Sequence, residues 1–305
     1  MAKSLDRLTL LSTFVRIAER GSISAAARDL GMAQASASRQ LAELEQRLGV
    51  QLIQRTTHHL ALTEAGRGAL AEARALIIGW DALEEQYRED EVELSGGLKI
   101  VAPVALGQIY LVEAGLEFQR SNPLVSFTWL LDDSPIKFAE IGCDLWIKIG
   151  RPSDETLVLK ELANVERLVV AAPSLLGSKK NVSPGDLAEV PCAALGPFEA
   201  GAIPLTHVAG DTLQLNARVS VATNNIFCTH KAALMGIGFA VMPRWFVDGD
   251  LADGSLVDVL PDWRAPSLTI TASYLPARRQ TRRLRAVLKH LHHTVCAIPG
   301  LEATP

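Results

Sequence analysis

The chain has 305 residues, 48% of them apolar and 21% charged, with a mean hydropathy of +0.17. That length and apolar content exclude a single small module and a disordered chain, and they suffice to bury more than one core. The net charge is −4, yet residues 1–62 carry eight Lys/Arg against five Asp/Glu while residues 63–305 carry 22 against 29. A basic front and an acidic remainder point to different partners.

Residues 5–19 place Leu8, Leu11, Phe14, Val15 and Ala18 at helical spacing, and Gly21 is the predicted stop. Ser22 or Ser24 can cap a second, short helix through Ala25, Ala26, Ala27 and Leu30, with Gly31 as its turn. A third runs from about Gln34 to Leu48, burying Ala37, Leu41, Leu44 and Leu48 and presenting Gln34, Ser36, Ser38, Arg39 and Gln40. Two short helices joined by a tight glycine turn describe a helix-turn-helix. The stretch from Leu52 to Leu62 then predicts a two-stranded wing with Arg55, His58 and His59 near its tip.

Thr63 and Glu64 open a long helix in which Gly66, Ala69, Ala73, Leu76, Trp80, Leu83 and Tyr87 recur at alternating spacings of 3 and 4. This heptad seam suits the pairing of two subunits. The charged run from Glu84 to Glu91 and the pair Gly96 and Gly97 mark the end of the helix and a hinge. Beyond Leu98, short apolar strands alternate with helices: Leu98–Ala102, Val125–Leu131, Cys143–Ile149, Leu168–Ala172, Val219–Ala222, Phe239–Met242 and Leu268–Tyr274 are the predicted strands. Such alternation implies an α/β domain with a mainly parallel sheet. The boundaries therefore fall at 1–62 for the head, 63–92 for the linker and dimerisation helix, and 93–305 for the C-terminal domain.

From Phe14 to Leu62 the run GSISAAARDLGMAQASASRQLAELEQRLGVQLIQR, followed by LTEAG, closely resembles the winged helix-turn-helix of LysR-type transcriptional regulators. GGLKIVAPVALG, CDLWIKIGRPSDETLVLKEL, VVAAPSLLG and GIGFAVMPRWFVDGDLADGSLVDVLPDW echo the family's effector domain. The resemblance implies an all-α winged helix-turn-helix, a long linker helix, and a periplasmic-binding-protein-like (type 2) effector domain of two α/β subdomains. It implies double-stranded operator DNA, a small-molecule effector and RNA polymerase as partners, with assembly to homodimers through the linker helix and on to tetramers. Two departures stand out: Ala33 where the family often has Ser, and His58 and His59 where it often has Arg or Lys, which are either solvated loop histidines or make wing contacts pH-dependent.

A recognition helix offers its first turns to the major groove, where Gln34 suits adenine and Arg39 suits guanine or a phosphate. Ser36 and Ser38 are short enough to touch a base or the backbone, or to cap the helix. Arg55 is a candidate phosphate or minor-groove contact, or a surface ion pair. A head with a net charge of +3 binds weakly by itself, so two joined heads are expected.

In open α/β folds ligands sit at the carboxyl ends of strands. The loop from Pro103 through Val104 and Ala105 to Gly107 follows the first strand and precedes a helix. The resemblance adds the turns at Asp133 and Ser134 and at Gly150 and Arg151, and the segment from Asn224 through Asn225 to Phe227. Arg151 could bind an organic acid bidentately, or pair with Asp154 or Glu155. Trp146 alternates against Leu145, Ile147 and Ile149, so it either lines the cleft or packs within a subdomain, and the same choice applies to Trp129 and Phe198.

No GxSxG, HExxH, Walker, GxGxxG or CxxC motif occurs, so neither an enzyme nor a cofactor is expected. The four cysteines, Cys143, Cys192, Cys228 and Cys296, fit reduced thiols in the cytoplasm. No signal peptide or membrane span is read. The basic cluster Arg278, Arg279, Arg282, Arg283, Arg285 and Lys289 reads as a solvated face or as a contact for bent DNA or an acidic partner, and His290, His292 and His293 do not suit a zinc site. Two other readings stay open: a small-molecule carrier, and a thiol-based redox regulator using Cys192 and Cys228, although these lie 36 positions apart.

Overall fold

A computed structural model describes residues 6–55, 60–87, 93–152, 154–177, 182–198, 200–276 and 280–303. The head packs α1 (Arg7–Arg20), α2 (Ile23–Asp29) and α3 (Gln34–Leu48) around Leu10, Phe14, Ile17, Ala26, Ala37 and Leu41. Each helix ends where its sequence demands. Gly21 and Gly49 adopt left-handed φ of 57° and 69°, and the Ser22 side chain accepts a hydrogen bond from the Ala25 N–H. The wing pairs β1 (Ile53–Arg55) with β2 (Leu60–Leu62) in antiparallel register, Ile53 opposite Leu62. The Glu45 carboxylate ties this wing to α3 by accepting from the N–H groups of Leu52 and Ile53 at 2.8 and 3.1 Å.

The long helix α4 (Glu64–Gln86) is capped by Thr63, whose hydroxyl accepts from the Gly66 N–H. Its expected seam divides in two. Gly66 and Ala73 are buried and Ala69 packs partly buried against the head, whereas Leu76, Trp80, Leu83 and Tyr87 are exposed. Only the second half of the heptad pattern is thus free for a second subunit, because the first half completes the head's own core. Arg74 sits at the junction. Its guanidinium donates to the Glu140 carbonyl and pairs with Glu19 at 3.2 Å, so it bridges α1, α4 and the following domain.

The C-terminal domain runs β3 (Gly96–Ala102), α5 (Val104–Leu106), a π-helical stretch Gly107–Leu111, α6 (Val112–Ser121), β4 (Val125–Leu131), α7 (Phe138–Ile141), β5 (Leu145–Ile149) and β6 (Val158–Ala171). It continues with α8 (Pro173–Leu176), α9 (Pro184–Leu187), β7 (Pro191–Leu195), β8 (Ala202–His207), β9 (Thr212–Asn216), β10 (Arg218–Thr223) and α10 (Ile226–Leu234). It closes with β11 (Ala240–Pro243), α11 (Arg244–Asp253), β12 (Val257–Asp258), β13 (Trp263–Tyr274), α12 (Arg282–Ala297) and β14 (Leu301–Ala303).

The sheet is mixed, which corrects the expectation of a mainly parallel one. β3 lies parallel to β4 and β5, and β7 is parallel to β10, but β13 is antiparallel to both β5 and β6. The long strands β6 and β13 pass through both halves of the domain. Their outer parts, with Leu162, Ala163, Val165, Ile270 and Ala272, join β3, β5 and α12 in one core. Val169, Ala171 and Ala265 join β7 and β11 in another. Two subdomains result, connected through this strand pair. Among the described residues no helix is long and apolar enough to cross a membrane.

Candidate functional site

On α3, Gln34 and Arg39 are exposed and Ser36 and Ser38 are half-buried, so these four share the outer side of the helix. The Arg39 guanidinium lies back along the helix, donating to the Ala35 carbonyl at 3.3 Å and the Ser36 hydroxyl at 3.4 Å. Such weak local bonds leave it able to swing toward a base or phosphate. Gln40 does not belong with them. It is 8% exposed, and its Oε1 accepts from the buried Thr13 hydroxyl at 2.5 Å, which pins α3 to α1. Placing Gln40 on the presented face is therefore corrected: its position faces the core. Arg55 ends β1, beside a shallow depression that Ser38, Ala42, Gln51 and Gln54 line between α3 and the wing. His58 lies outside the described residues.

Between the two subdomains is a cavity of about 490 Å³. Its walls come from the carboxyl ends of the parallel strands: Pro103 after β3, Asp132, Asp133, Ser134 and Pro135 after β4, Lys148 and Ile149 closing β5, Leu195 and Gly196 closing β7, and Asn224 after β10. Converging strand ends build a ligand pocket of ordinary metabolite size. Ala105, Leu106, Ile226, Trp245 and Leu268 supply an apolar lining.

Of the sequence-predicted residues, Pro103, Ala105, Asp133, Ser134, Trp146 and Asn224 line this cavity. Trp146 does so from within a packed cluster: it is 3% exposed among Val101, Phe138, Cys143 and Leu157, with the Lys148 ammonium 5.2 Å from its ring centre. Val104 contributes its backbone N–H, which donates to Asp133 Oδ1 at 3.1 Å. Gly107 is buried behind the wall, where a Cβ would fall 2.4 Å from a Leu131 methyl, so its role is close packing. Asn225 caps α10, its Oδ1 accepting from the N–H groups of Phe227 and Cys228 at 3.0 and 3.3 Å, while its neighbours Asn224 and Ile226 reach the cavity. Phe227 turns away to pack edge-on against Phe246.

Arg151 is not at the cavity. It is 72% exposed and pairs with Glu161 on β6, so the register of β6 gives it a different carboxylate from the two nearest in sequence. Trp129 packs on the first subdomain's core, and Phe198 on the second's, beneath the Arg167 guanidinium. Sequence reasoning missed Asp132, Lys148, Trp245 and Leu268. Asp132 and Lys148 were signalled by their position at strand ends, but Trp245 and Leu268 are brought in only by tertiary folding.

Burial, together with the adjacent Asp132 charge, pushes the Asp133 carboxyl above its ordinary range against the pull of the Val104 N–H. Burial also pushes the Cys143 and Cys192 thiols up to about 12, the opposite of an activated thiolate. Among the described residues no group of three or more His, Cys, Asp or Glu side chains could hold a metal.

Comparison with known proteins agrees with this arrangement. Residues 8–67 match the bacterial regulatory helix-turn-helix protein family of lysR type, and residues 92–295 match the LysR substrate binding domain. The HTH-type transcriptional regulator PtxR of Pseudomonas aeruginosa is 32% identical over 300 residues, covering 95% of each chain. The HTH-type transcriptional regulator DmlR of Escherichia coli is 26% identical over 94% of each chain. Full-length AphB, a virulence activator of Vibrio cholerae, shares the fold at a TM-score of 0.60 and 23% identity, covering 94% of this chain and 98% of its own. A full-length OxyR variant from Pseudomonas aeruginosa does so at 0.75 and 18% identity, covering 99% of each. With a DNA-binding helix-turn-helix head joined to an effector-binding domain of two subdomains, and with both family regions matched, the chain belongs to the LysR family of transcriptional regulators.

Proposed function

We propose that this regulator divides at residues 62 and 92 into a reading head, a linker and a sensor, and that a small polar metabolite held in the cavity between subdomains alters its promoter occupancy. The cavity at five converging strand ends, in the same chain as a head that exposes Gln34 and Arg39, carries this reading. Gln34, Ser36, Ser38, Arg39 and Arg55 contact operator DNA, and Pro103, Ala105, Ser134 and Trp146 contact the effector. The chain works in the cytoplasm as a DNA-binding protein without a catalytic step of its own, and RNA polymerase is the partner downstream.

Leu76, Trp80 and Leu83, which are 57%, 46% and 45% exposed on one side of α4, pair two copies. Pairing supplies the second head that a weakly basic single head requires, and a twofold dimer reads related half-sites. A second apolar set, Leu116 and Leu124 on one subdomain with Met235 and Ile237 on the other, extends assembly to a tetramer. An effector changes the angle between subdomains, and its differential affinity for the two arrangements sets the shift in DNA binding.

Selection of operator sequences from a random pool with the full chain, followed by anisotropy titration, tests the reading. Twofold-related half-sites are expected. Trp80→Glu should give monomers in sedimentation velocity and weaken DNA binding at least tenfold. Failure to bind any DNA at low salt overturns the assignment and favours a carrier.

A further inference from the structure

The shape of the cavity speaks to the chemistry of its occupant, an inference that rests on the effector reading just given. A helix N-terminus ordinarily attracts an anion through its free N–H groups. Here two such N-termini meet at the cavity wall, and both are already filled from within the chain. At α5 the Val104 N–H is taken by the Asp133 carboxylate, and at α10 the Phe227 and Cys228 N–H groups are taken by Asn225 Oδ1. Arg151, the guanidinium that would have received an organic acid, points to Glu161 outside the cavity.

What faces the cavity instead is negative. Asp132 and Asp133 stand side by side after β4, and among the described residues neither has an ion-pair partner; Asp132 Oδ1 accepts only from the Ser134 N–H at 2.8 Å. Among the described residues the cation in the lining is Lys148, whose ammonium rests over the Trp146 ring. The rest of the lining is largely apolar, with Leu106, Ile226, Trp245 and Leu268. Two exposed carboxylates at the cavity wall without a counter-charge attract a cation, and a charge-assisted hydrogen bond to an ammonium is the natural complement.

We propose that the effector is an amine: a compact apolar or aromatic body bearing a protonated amino group, its ammonium held by Asp132 and Asp133 and its body against Leu106, Trp245 and Leu268. An anionic metabolite would meet the carboxylates unshielded. A zwitterion fits only with its carboxylate toward Lys148.

Three matched probes separate these chemistries: cyclohexylmethylamine, cyclohexanecarboxylate and cyclohexylmethanol, each titrated into the full-length protein. Binding is read by calorimetry and by the tryptophan emission to which Trp146 and Trp245 contribute. The amine should bind at least tenfold tighter than the acid or the alcohol. Asp132→Asn with Asp133→Asn, which keeps a carbonyl to accept the Val104 N–H, should lower amine affinity at least tenfold and leave the alcohol unchanged. Preference for the acid, or an amine affinity indifferent to the double variant, overturns the amine inference while leaving the cavity as the effector site. If no probe perturbs calorimetry or emission up to 10 mM, a ceiling that reaches weak fragments, both the inference and the cavity reading fall.

Discussion

Gln40→Ala separates a residue that builds the reading helix from residues that read. The Thr13 hydroxyl is 1% exposed and donates to Gln40 Oε1 at 2.5 Å, so truncating Gln40 strands a buried hydroxyl. Leaving such a group unsatisfied costs about 1–3 kcal/mol, a sizeable share of a domain's stability of roughly 5–15 kcal/mol. Because the chain holds several cores, a single global unfolding midpoint would blur this, and local amide exchange is the better measure. At about 1.4 kcal/mol per factor of ten, amides of α1 and α3 should exchange about 5- to 150-fold faster in Gln40→Ala, with the C-terminal domain unchanged. Adding Thr13→Val removes the stranded hydroxyl and should recover at least fivefold. In parallel, sequences selected from a random pool should keep the wild-type base preference in Gln40→Ala and lose preference at one position in Gln34→Ala. A Gln40→Ala protein with unchanged exchange and altered base preference would refute the interior placement.

Two further predictions concern packing and charge. A Cβ on Gly66 would lie 1.9 Å from the Leu52 carbonyl oxygen, which also accepts from the Thr63 N–H, whereas one on Gly68 meets nothing within 4 Å. Gly66→Ala should therefore destabilise the head by about 1–3 kcal/mol and weaken DNA binding, while Gly68→Ala should be neutral or stabilise by up to about 1 kcal/mol, both read by exchange at the start of α4. Asp133 has a folded-state pKa above its unfolded value, so the stability its protonated form holds at low pH is lost as pH rises through the folded value. Asp133→Asn removes that loss: its melting temperature relative to the parent should climb from pH 4 to pH 7. A difference constant across that range would exclude Asp133 as the source.

Most of the head is legible in the sequence because its structure is local. Helical spacing, Ser22 as cap and glycines at 21, 31 and 49 place α1 to α3 within two residues or so. Gln40 escaped because its partner Thr13 lies 27 positions back, on another helix. The heptad pattern of α4 was visible, but periodicity cannot tell a face that packs on its own head from one that awaits a second chain. In the sensor seven strands were found, not all at their full length, while β7, β8, β9, β12 and β14 were not. The predicted strand Leu168–Ala172 is the tail of the 14-residue β6, whose polar residues Lys160, Glu161 and Asn164 hide a strand that antiparallel pairing with β13 sustains. The cavity was reached from the strand-end rule at Pro103, from the family resemblance at Ser134, and from strand alternation at Trp146, where packing was the other reading. Arg151 misled because the choice between cavity and Glu161 is made by cross-sheet register, which no spacing along the chain reveals.

β6 and β13 also limit how the sensor can move. Their ladder runs from Tyr274 opposite Val158 to Ala265 opposite Arg167, and the register slips between Ala265 and Leu268 and again between Ile270 and Thr271. Sliding one subdomain along the other would break every rung at once. Bulged positions, by contrast, tolerate added twist. The strand pair is thus a torsion spring, stiff along its length and soft about its axis, with the irregular rungs as the turning points. On the mechanism proposed above, ligand closure would be recorded as a rotation angle, a quantity that α4 could pass on to paired heads on DNA.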